Sequence, residues 1–272
     1  MVIHWKKYLV RVNEFYGKGS NILLQPKADI HAYFQLSSPM QTTKKNCIHR
    51  QTLHLQINLD KSEQALLQDM SRTTRYKIRR AKKDGLTISY TIEPDSTDVK
   101  AFSDFYNSFA RAKGIESCKD KKLIALMESK QLIIMSVYQK NGLMLASSAI
   151  IANNKTAIGL YTASARFAYR EISGQLMSRA NRYLHWGELI YFKDKGFHTF
   201  DLMSLTIDKN NTDHQKVNHY KRSFGGEERY VYQSFIPQSV FGVLSVWGLK
   251  ILWRNNSEII KGRKQTTVKQ LE

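Results

Sequence analysis

Between Thr52 and Leu59 the chain alternates, with Leu53, Leu55, Ile57 and Leu59 apolar and His54, Gln56 and Asn58 polar. Successive side chains of a strand point to opposite faces, so this period of two predicts a half-buried strand. The period then lengthens. Leu67, Met70, Thr74, Ile78 and Ala81 share one helical face, which predicts a single helix that Asp60 caps, with Glu63 completing a capping box and Gly85 ending it. Leu86, Ile88, Tyr90 and Ile92 alternate with Thr87, Ser89 and Thr91, giving another strand before the turn at Pro94. Asp95 or Ser96 opens the next helix, whose inner face is Phe102, Phe105, Tyr106 and Phe109, and Lys121 to Ser129 reads as a second helix. An aromatic stripe at that spacing reads first as core.

The segments QLIIMSVYQ, LMLASSAIIA and KTAIGLYTAS follow, separated by Asn141-Gly142 and Asn153-Asn154, and predict two hairpins in succession. The run from Ile172 to Ser204 comes next: a small Gly-containing turn, a long helix through Leu176, Ala180, Leu184 and Leu189, a stop at Gly196 and the strand HTFDLM. A short helix over Asp213 to Arg222 and the strand ERYVYQSF complete the series. From Leu86 to Phe235 the predicted order is therefore strand, helix, helix, three antiparallel strands, helix, strand, helix, strand. Before Thr52, the stretches KYLVRV, SNILLQP and HAYFQL read as brief strands divided by Gly17, Gly19, Pro26 and Pro39. The expected organisation is an N-terminal α/β portion over 1–85 ending in a basic helix, a mixed α+β domain over 86–236, and an apolar helix with a basic tail over 237–272.

Composition narrows the partners. The 272 residues are 42% hydrophobic and carry 42 Lys and Arg against 23 Asp and Glu, a formal charge of +19. Such a chain buries a full core and attracts phosphorylated substrates, nucleic acid or an anionic membrane surface. The charge is dense in SRTTRYKIRRAKK, where Arg72, Arg75, Arg79 and Lys82 recur along one helical face; this is either a solvated surface or a grip on an anionic substrate. Cys47 and Cys118 stand far apart with no CxxC spacing, which suggests neither disulfide framework nor zinc site and fits a reducing cytoplasm. His214 and His219 lie five residues apart, off one helical face, so no metal site is expected. No Walker loop, zincin pattern or GxSxG elbow occurs.

The segment MVIHWKKYLV has charges inside its apolar stretch, which argues against a signal peptide. No window reaches the roughly 18 to 20 apolar residues of a spanning helix. The stretch SVFGVLSVWGLKILWR is apolar on nearly all sides and is followed by Lys261, Arg263, Lys264 and Lys269. Two readings stand for 239–254: peripheral contact with the inner membrane of a cytoplasmic protein, or a helix packed on its own domain.

At Ser173 and Gly174 small residues open the long helix, and the first turn of a helix offers unpaired N–H groups and a partial positive charge to a pyrophosphate. A plain turn is the alternative. The segments RYKIRRAKKDGLTI, RANRYLHW, YFKDKGFHTFDL and HYKRSFGGEE, in this order, resemble the FemAB-like acyltransferases of the GNAT (N-acetyltransferase) fold, a central, mostly antiparallel sheet flanked by helices. The resemblance spans about Thr52 to Phe235, with the N-terminal portion as a partial second unit. It implies transfer of an acyl group from a thioester or aminoacyl ester to an amine, with acyl-CoA (acetyl-CoA) as donor and no metal. The donor pyrophosphate is then expected at Ile172, Ser173, Gly174, Gln175 and Leu176, with Arg170 as the cation at the head of the loop. The loop has fewer glycines than is usual in GNAT proteins.

Acyl transfer needs a neutral amine, a polarised carbonyl and a proton for the leaving group. Asp201 is the first candidate to bind or deprotonate the acceptor, the alternative being a cap on the next turn. Relatives commonly follow this Asp with an aromatic residue and two glycines, where Leu202, Met203 and Ser204 stand here. His185 is the other candidate, since an imidazole suits proton transfer near neutral pH, yet a lone His beside Trp186 also suits packing. Tyr161 is a candidate proton donor to the leaving group. Arg75, Arg79, Asn181, Trp186, Lys221 and Glu227 are the expected substrate contacts, Lys221 toward a phosphate. The expected acceptor is a small or lipid-linked amino sugar of a cell-envelope polysaccharide. One rival is an aminoacyl-tRNA-dependent ligase whose basic helix, Arg72 to Lys83, grips the tRNA. Another is a non-enzymatic basic protein that binds nucleic acid or membrane.

Overall fold

A computed structural model describes residues 1–17, 26–169 and 172–254. Most of the SNILLQP segment, Arg170 and the basic residues from Lys261 onward lie outside the described residues. The elements are β1 (Val2–Lys7), β2 (Val10–Tyr16), β3 (Ile30–Leu36), β4 (Ile48–Asn58), α1 (Glu63–Asp69), α2 (Arg72–Lys83), β5 (Thr87–Thr91), α3 (Ser96–Lys113) and α4 (Asp120–Glu128). After them come β6 (Leu132–Tyr138), β7 (Met144–Asn153), β8 (Thr156–Ser164), α5 (Gly174–Asp194), β9 (Thr199–Leu205), α6 (Thr212–Arg222), β10 (Glu227–Pro237) and α7 (Val240–Leu252).

The chain forms two compact units, neither continuous in sequence. One gathers Met1–His54, Ser204–Asn218 and the described part of 228–272; the other gathers Leu55–Met203 and His219–Glu227. Helices α1 and α2, grouped with the N-terminal portion in the sequence reading, belong to the second unit.

In the first unit the strand order is β1-β2-β3-β10-β4. KYLVRV is not one strand: Tyr8 takes φ +55, a left-handed turn conformation, and folds β1 back on β2 as an antiparallel hairpin. β2 runs parallel to β3, and β3 antiparallel to β10. Among the described residues of this unit, Phe15 packs with Tyr33, Leu36 and Ile236, and Ile30 with Ile48 and Val246.

In the second unit the order is β4-β9-β8-β7-β6-β5. β6 to β8 are antiparallel neighbours, as the two-hairpin reading expects, β5 pairs antiparallel with β6, and β8 pairs parallel with β9 across the α5 connection. β6 is buried along nearly its whole length, so it reads as a continuous apolar run rather than an alternation. The single helix expected between Asp60 and Gly85 is two. Ser62, not Asp60, caps α1 by accepting from the Ala65 amide, and Ser71 caps α2 by accepting from Thr74. The break falls at Met70-Ser71 because a serine hydroxyl offers the backbone a cap in place of continued helix. The capping box occurs instead at Asp95 and Asp98, which open α3.

The mixed α+β class and the mostly antiparallel sheet flanked by helices are those the sequence predicts. The feature that positions the chemistry is the β8–β9 pair. Pairing runs only from Thr156–Thr199 to Ile158–Asp201, after which β8 continues to Ser164 and β9 to Leu205. In the β7–β8 ladder the register slips between Ala149 and Ile150, so Leu160 is left without a partner there. A bulge of this kind bends its strand.

Candidate active site

Asp201 is the last β9 residue to pair with β8, and it is fully buried. Its carboxylate is held from two sides: Gln56 Nε2 donates to Oδ2 at 3.1 Å and the Met203 amide to Oδ1 at 2.6 Å. The second bond bends the backbone, and Met203 adopts φ +63, a left-handed conformation uncommon for a side chain of this size. The carboxylate thus accepts from the backbone two residues further along β9 as well as from Gln56.

Lys221 sits at the end of α6. Burial pushes its ammonium down to about 8, with the negative charge of Asp201 pulling the other way. The following turn fixes this placement. Gly225 and Gly226 take φ +79 and +93, and a Cβ on them would lie 2.8 Å from Asp69 Cβ and 2.7 Å from the Gln56 carbonyl oxygen. Only glycine lets the turn pass so close to the strand that carries Gln56.

A second buried polar group is centred on α5. Glu188 is 1% exposed; it accepts from Ser148 Oγ of β7 at 2.5 Å and faces His185 Nδ1 at 2.7 Å. An ionised carboxylate only accepts, so Nδ1 carries a proton toward it, and in a neutral ring the lone pair is then on Nε2. The His185 ring packs edge-on against Phe224 and tilted against Tyr220. The Tyr220 hydroxyl is buried, finds no hydrogen-bond partner among the described residues, and burial raises it further from ionisation. Tyr220 and Lys221 thus face the two polar groups in succession, the first the His185 ring, the second the charge of Asp201.

Along the seam between α2 and α5 lies a cationic cluster. Lys77 Nζ and Arg182 Nη1 both donate to Ser178 Oγ at 2.8 Å, and Arg182 Nε donates to the buried Thr74 hydroxyl. Burial lowers the Lys77 ammonium, and the nearby charges of Arg182 and Arg179 lower it further. Arg182 also stacks over the Tyr220 ring at 4.9 Å. Arg179 is matched by Asp84 at 2.6 Å. Like charges crowded in a half-buried seam favour an anion between them.

Around the α5 N-terminus, Ile172 and Leu176 are half-buried while Ser173, Gly174 and Gln175 are exposed; Ser173 Oγ caps the helix by accepting from Leu176. A Cβ at Gly174 would meet nothing within 4 Å. Of the remaining residues, Tyr161 Oη accepts from the Lys119 amide and its ring lies 4.9 Å from that of Tyr106. Arg75 donates to the carbonyls of Leu67, Gln68 and Met70, closing the end of α1, whereas Arg79 is exposed. Asn181 donates to the Met177 carbonyl within α5, Trp186 is buried on the same helix, and Glu227 is exposed at the start of β10. Burial pushes the Cys118 thiol up to about 11, away from the thiolate form. Among the described residues no three His, Cys, Asp or Glu side chains are grouped to hold a metal ion.

Gln56, Ser148, Glu188, Tyr220, Lys77 and Arg182 do not stand out in the sequence pattern. Glu188 carries a local signal, a lone carboxylate three residues after His185 inside the apolar run LHWGELIYF. Gln56 and Asp201 are separated by 145 positions, so only the fold joins them.

The fold sets a parallel β8–α5–β9 crossover beside a meander of antiparallel strands, and it is shared with several solved structures. Among solved structures, FemX superposes with a TM-score of 0.59 over 85% of this chain and 83% of its own, at 14% identity. The C-terminal domain of a putative lysylphosphatidylglycerol synthetase from Agrobacterium fabrum gives 0.54 over 92% and 85%, at 9% identity. A conserved protein of unknown function from Bacteroides thetaiotaomicron gives 0.50 over 76% and 70%, at 8% identity. At such identities the likeness is one of fold. No protein-family model and no curated protein sequence matches the chain.

Proposed function

We propose that this chain transfers an acyl group from acyl-CoA to an amine, with an amino sugar of a cell-envelope polysaccharide as the acceptor class. The observation that carries the reading is Asp201, a fully buried carboxylate where β8 and β9 part, opposed by a lysine whose ammonium is held near 8. The acceptor amine, oriented by Asp201, attacks the acyl carbon, and its surplus proton passes to a base, either Asp201 or the lone pair on His185 Nε2. The C–S bond of the donor breaks and the thiolate takes a proton from Lys221, whose lowered value suits an acid working near neutral pH. The phosphates of the donor are met by the first-turn amides of α5 and by the Lys77–Arg182 cluster. The acceptor class rests on the resemblance of the four sequence segments alone.

The test is release of free thiol from acetyl-CoA in the presence of amino-sugar acceptors. Asp201→Asn is expected to cut turnover by about a hundredfold while the folded protein remains. Lys221→Arg, which cannot release a proton in this range, is expected to remove the fall in rate above about pH 8 that the native lysine causes. Full activity in Asp201→Asn removes the carboxylate from the mechanism.

A second reading, aminoacyl transfer from charged tRNA, is favoured by the exposed cations of α2, Arg72, Arg79, Arg80, Lys82 and Lys83. It also draws on the lysylphosphatidylglycerol synthetase among the fold neighbours, whose name describes joining lysine to a phospholipid. Binding of charged tRNA that weakens steeply with salt, with no thiol release from any acyl-CoA, selects it.

A further inference from the structure

Helix α7 carries two apolar stripes of the same spacing. Gly242, Val246, Leu249 and Trp253 face inward, where Val246 is fully buried with Ile30 and Ile48. Val240, Leu244, Trp247 and Ile251 repeat that spacing two positions earlier, and two residues of helix turn about 200°, to the opposite side. They are 77%, 60%, 63% and 52% exposed, and Phe241 and Leu252 at their flank are 67% and 79% exposed. One stripe satisfies the domain, as the packed-helix reading expects. The other lies in water, and an apolar face of this extent marks an interaction surface.

The surroundings say what covers it. Helix α7 contains no acidic residue, and Lys250 and Arg254 stand at its C-terminal end. Within Met1–His54 the acidic residues are Glu14 and Asp29, both buried, whereas Lys6, Lys7, Lys27, Lys44 and Lys45 are exposed. Asp29 is consumed by Arg11 and by Ser239, the residue that caps α7, which pins the helix start to the domain. Arg50 stacks over Trp253 at 5.4 Å, and Lys44 reaches the Pro237 carbonyl just before the helix. Exposed Tyr8 and Leu9 form the β1–β2 turn, and the next residue, Val10, packs into the cluster that holds Val246. An apolar stripe with an exposed Trp, on a helix that holds no carboxylate and has cations at its C-terminal end, matches the boundary between anionic headgroups and acyl chains. Among the described residues no helix is long and apolar enough to cross a membrane.

We infer that the outer face of α7, with the Tyr8–Leu9 turn, lies flat in the interface of an anionic phospholipid bilayer. The inference stands whether or not the transferase reading holds. The test uses the full chain with vesicles of phosphatidylglycerol mixed into phosphatidylcholine, against phosphatidylcholine alone. Binding is expected to the anionic vesicles, to weaken by at least tenfold in Leu244→Gln/Trp247→Gln, and to fall with added salt. Both side chains are outside the core, so an unchanged melting temperature in the double variant separates lost docking from lost folding. Brominated acyl chains are expected to quench the native tryptophan fluorescence, and to quench it less in Trp247→Phe. No binding to anionic vesicles, or equal binding by the double variant, overturns the inference. So does a native dimer in light scattering that the same substitutions dissolve, because a second copy then covers the face.

Discussion

Helices α5 and α7 use their side chains in opposite ways. α5 buries His185 and Glu188 among Leu184, Trp186, Leu189 and Phe192, while α7 leaves Val240, Leu244 and Trp247 in water. A buried carboxylate costs free energy unless hydrogen bonds replace its water, and Ser148 and His185 supply them. An exposed apolar stripe costs nothing to the fold itself, but leaves surface that water does not favour. In both helices the rule that sorts polar from apolar is broken at the positions where function is expected. The direction of the breach differs: α5 carries polar groups inward, α7 carries apolar ones outward.

The comparison is broken most sharply by truncation. Glu188→Ala strands the Ser148 hydroxyl and the His185 ring and is expected to cost about 3 kcal/mol of stability, whereas Leu244→Ala on α7 is expected to cost under about 0.5 kcal/mol. Urea denaturation of the two variants decides it, and equal losses would mean that the α7 stripe is packed after all. Gly226→Ala is next, at about 2 kcal/mol by the same measurement, because the methyl group meets the Gln56 carbonyl and the backbone is left-handed.

The pH dependence follows from Lys221. Its folded value of about 8 lies below the ordinary 10.5. Between those two values the unfolded chain holds a proton that the folded one lacks, so stability rises with pH across that window. Below about 8 the buried ammonium weakens the fold throughout. Comparing denaturation midpoints at both ends of the window with those of Lys221→Met, whose profile lacks this rise, isolates the contribution. The smallest effect is at Gly174. Alanine there meets no neighbour and is expected to add about 0.5 kcal/mol by favouring the helix. If the amides of α5 seat the donor, the same methyl group weakens donor affinity while the melting temperature rises.

The strand and helix periods from β4 to β10 are legible because each buried face repeats locally. The break at Ser71 is not, since α1 and α2 continue one helical phase closely enough for Leu67 to Ala81 to read as a single stripe. The hairpin at Tyr8 is hidden for another reason: a tyrosine occupies a left-handed turn that sequence assigns to Gly or Asn. For the site, Asp201, His185 and Lys221 are visible as titratable residues at element ends or in apolar runs. Their surroundings are not, because Gln56, Ser148 and Tyr220 reach them across strands and helices distant in sequence.

The position of β10 sets the order of assembly. It lies between β3 and β4, strands that leave the ribosome long before it does. Leu55–Met203 can collapse during synthesis, but β3 and β4 keep open edges until the chain has passed Pro237. Contacts of such long sequence separation close slowly, and open edges invite pairing with other chains. Productive folding of this protein is therefore a race between the arrival of its tenth strand and aggregation of the strands that wait for it.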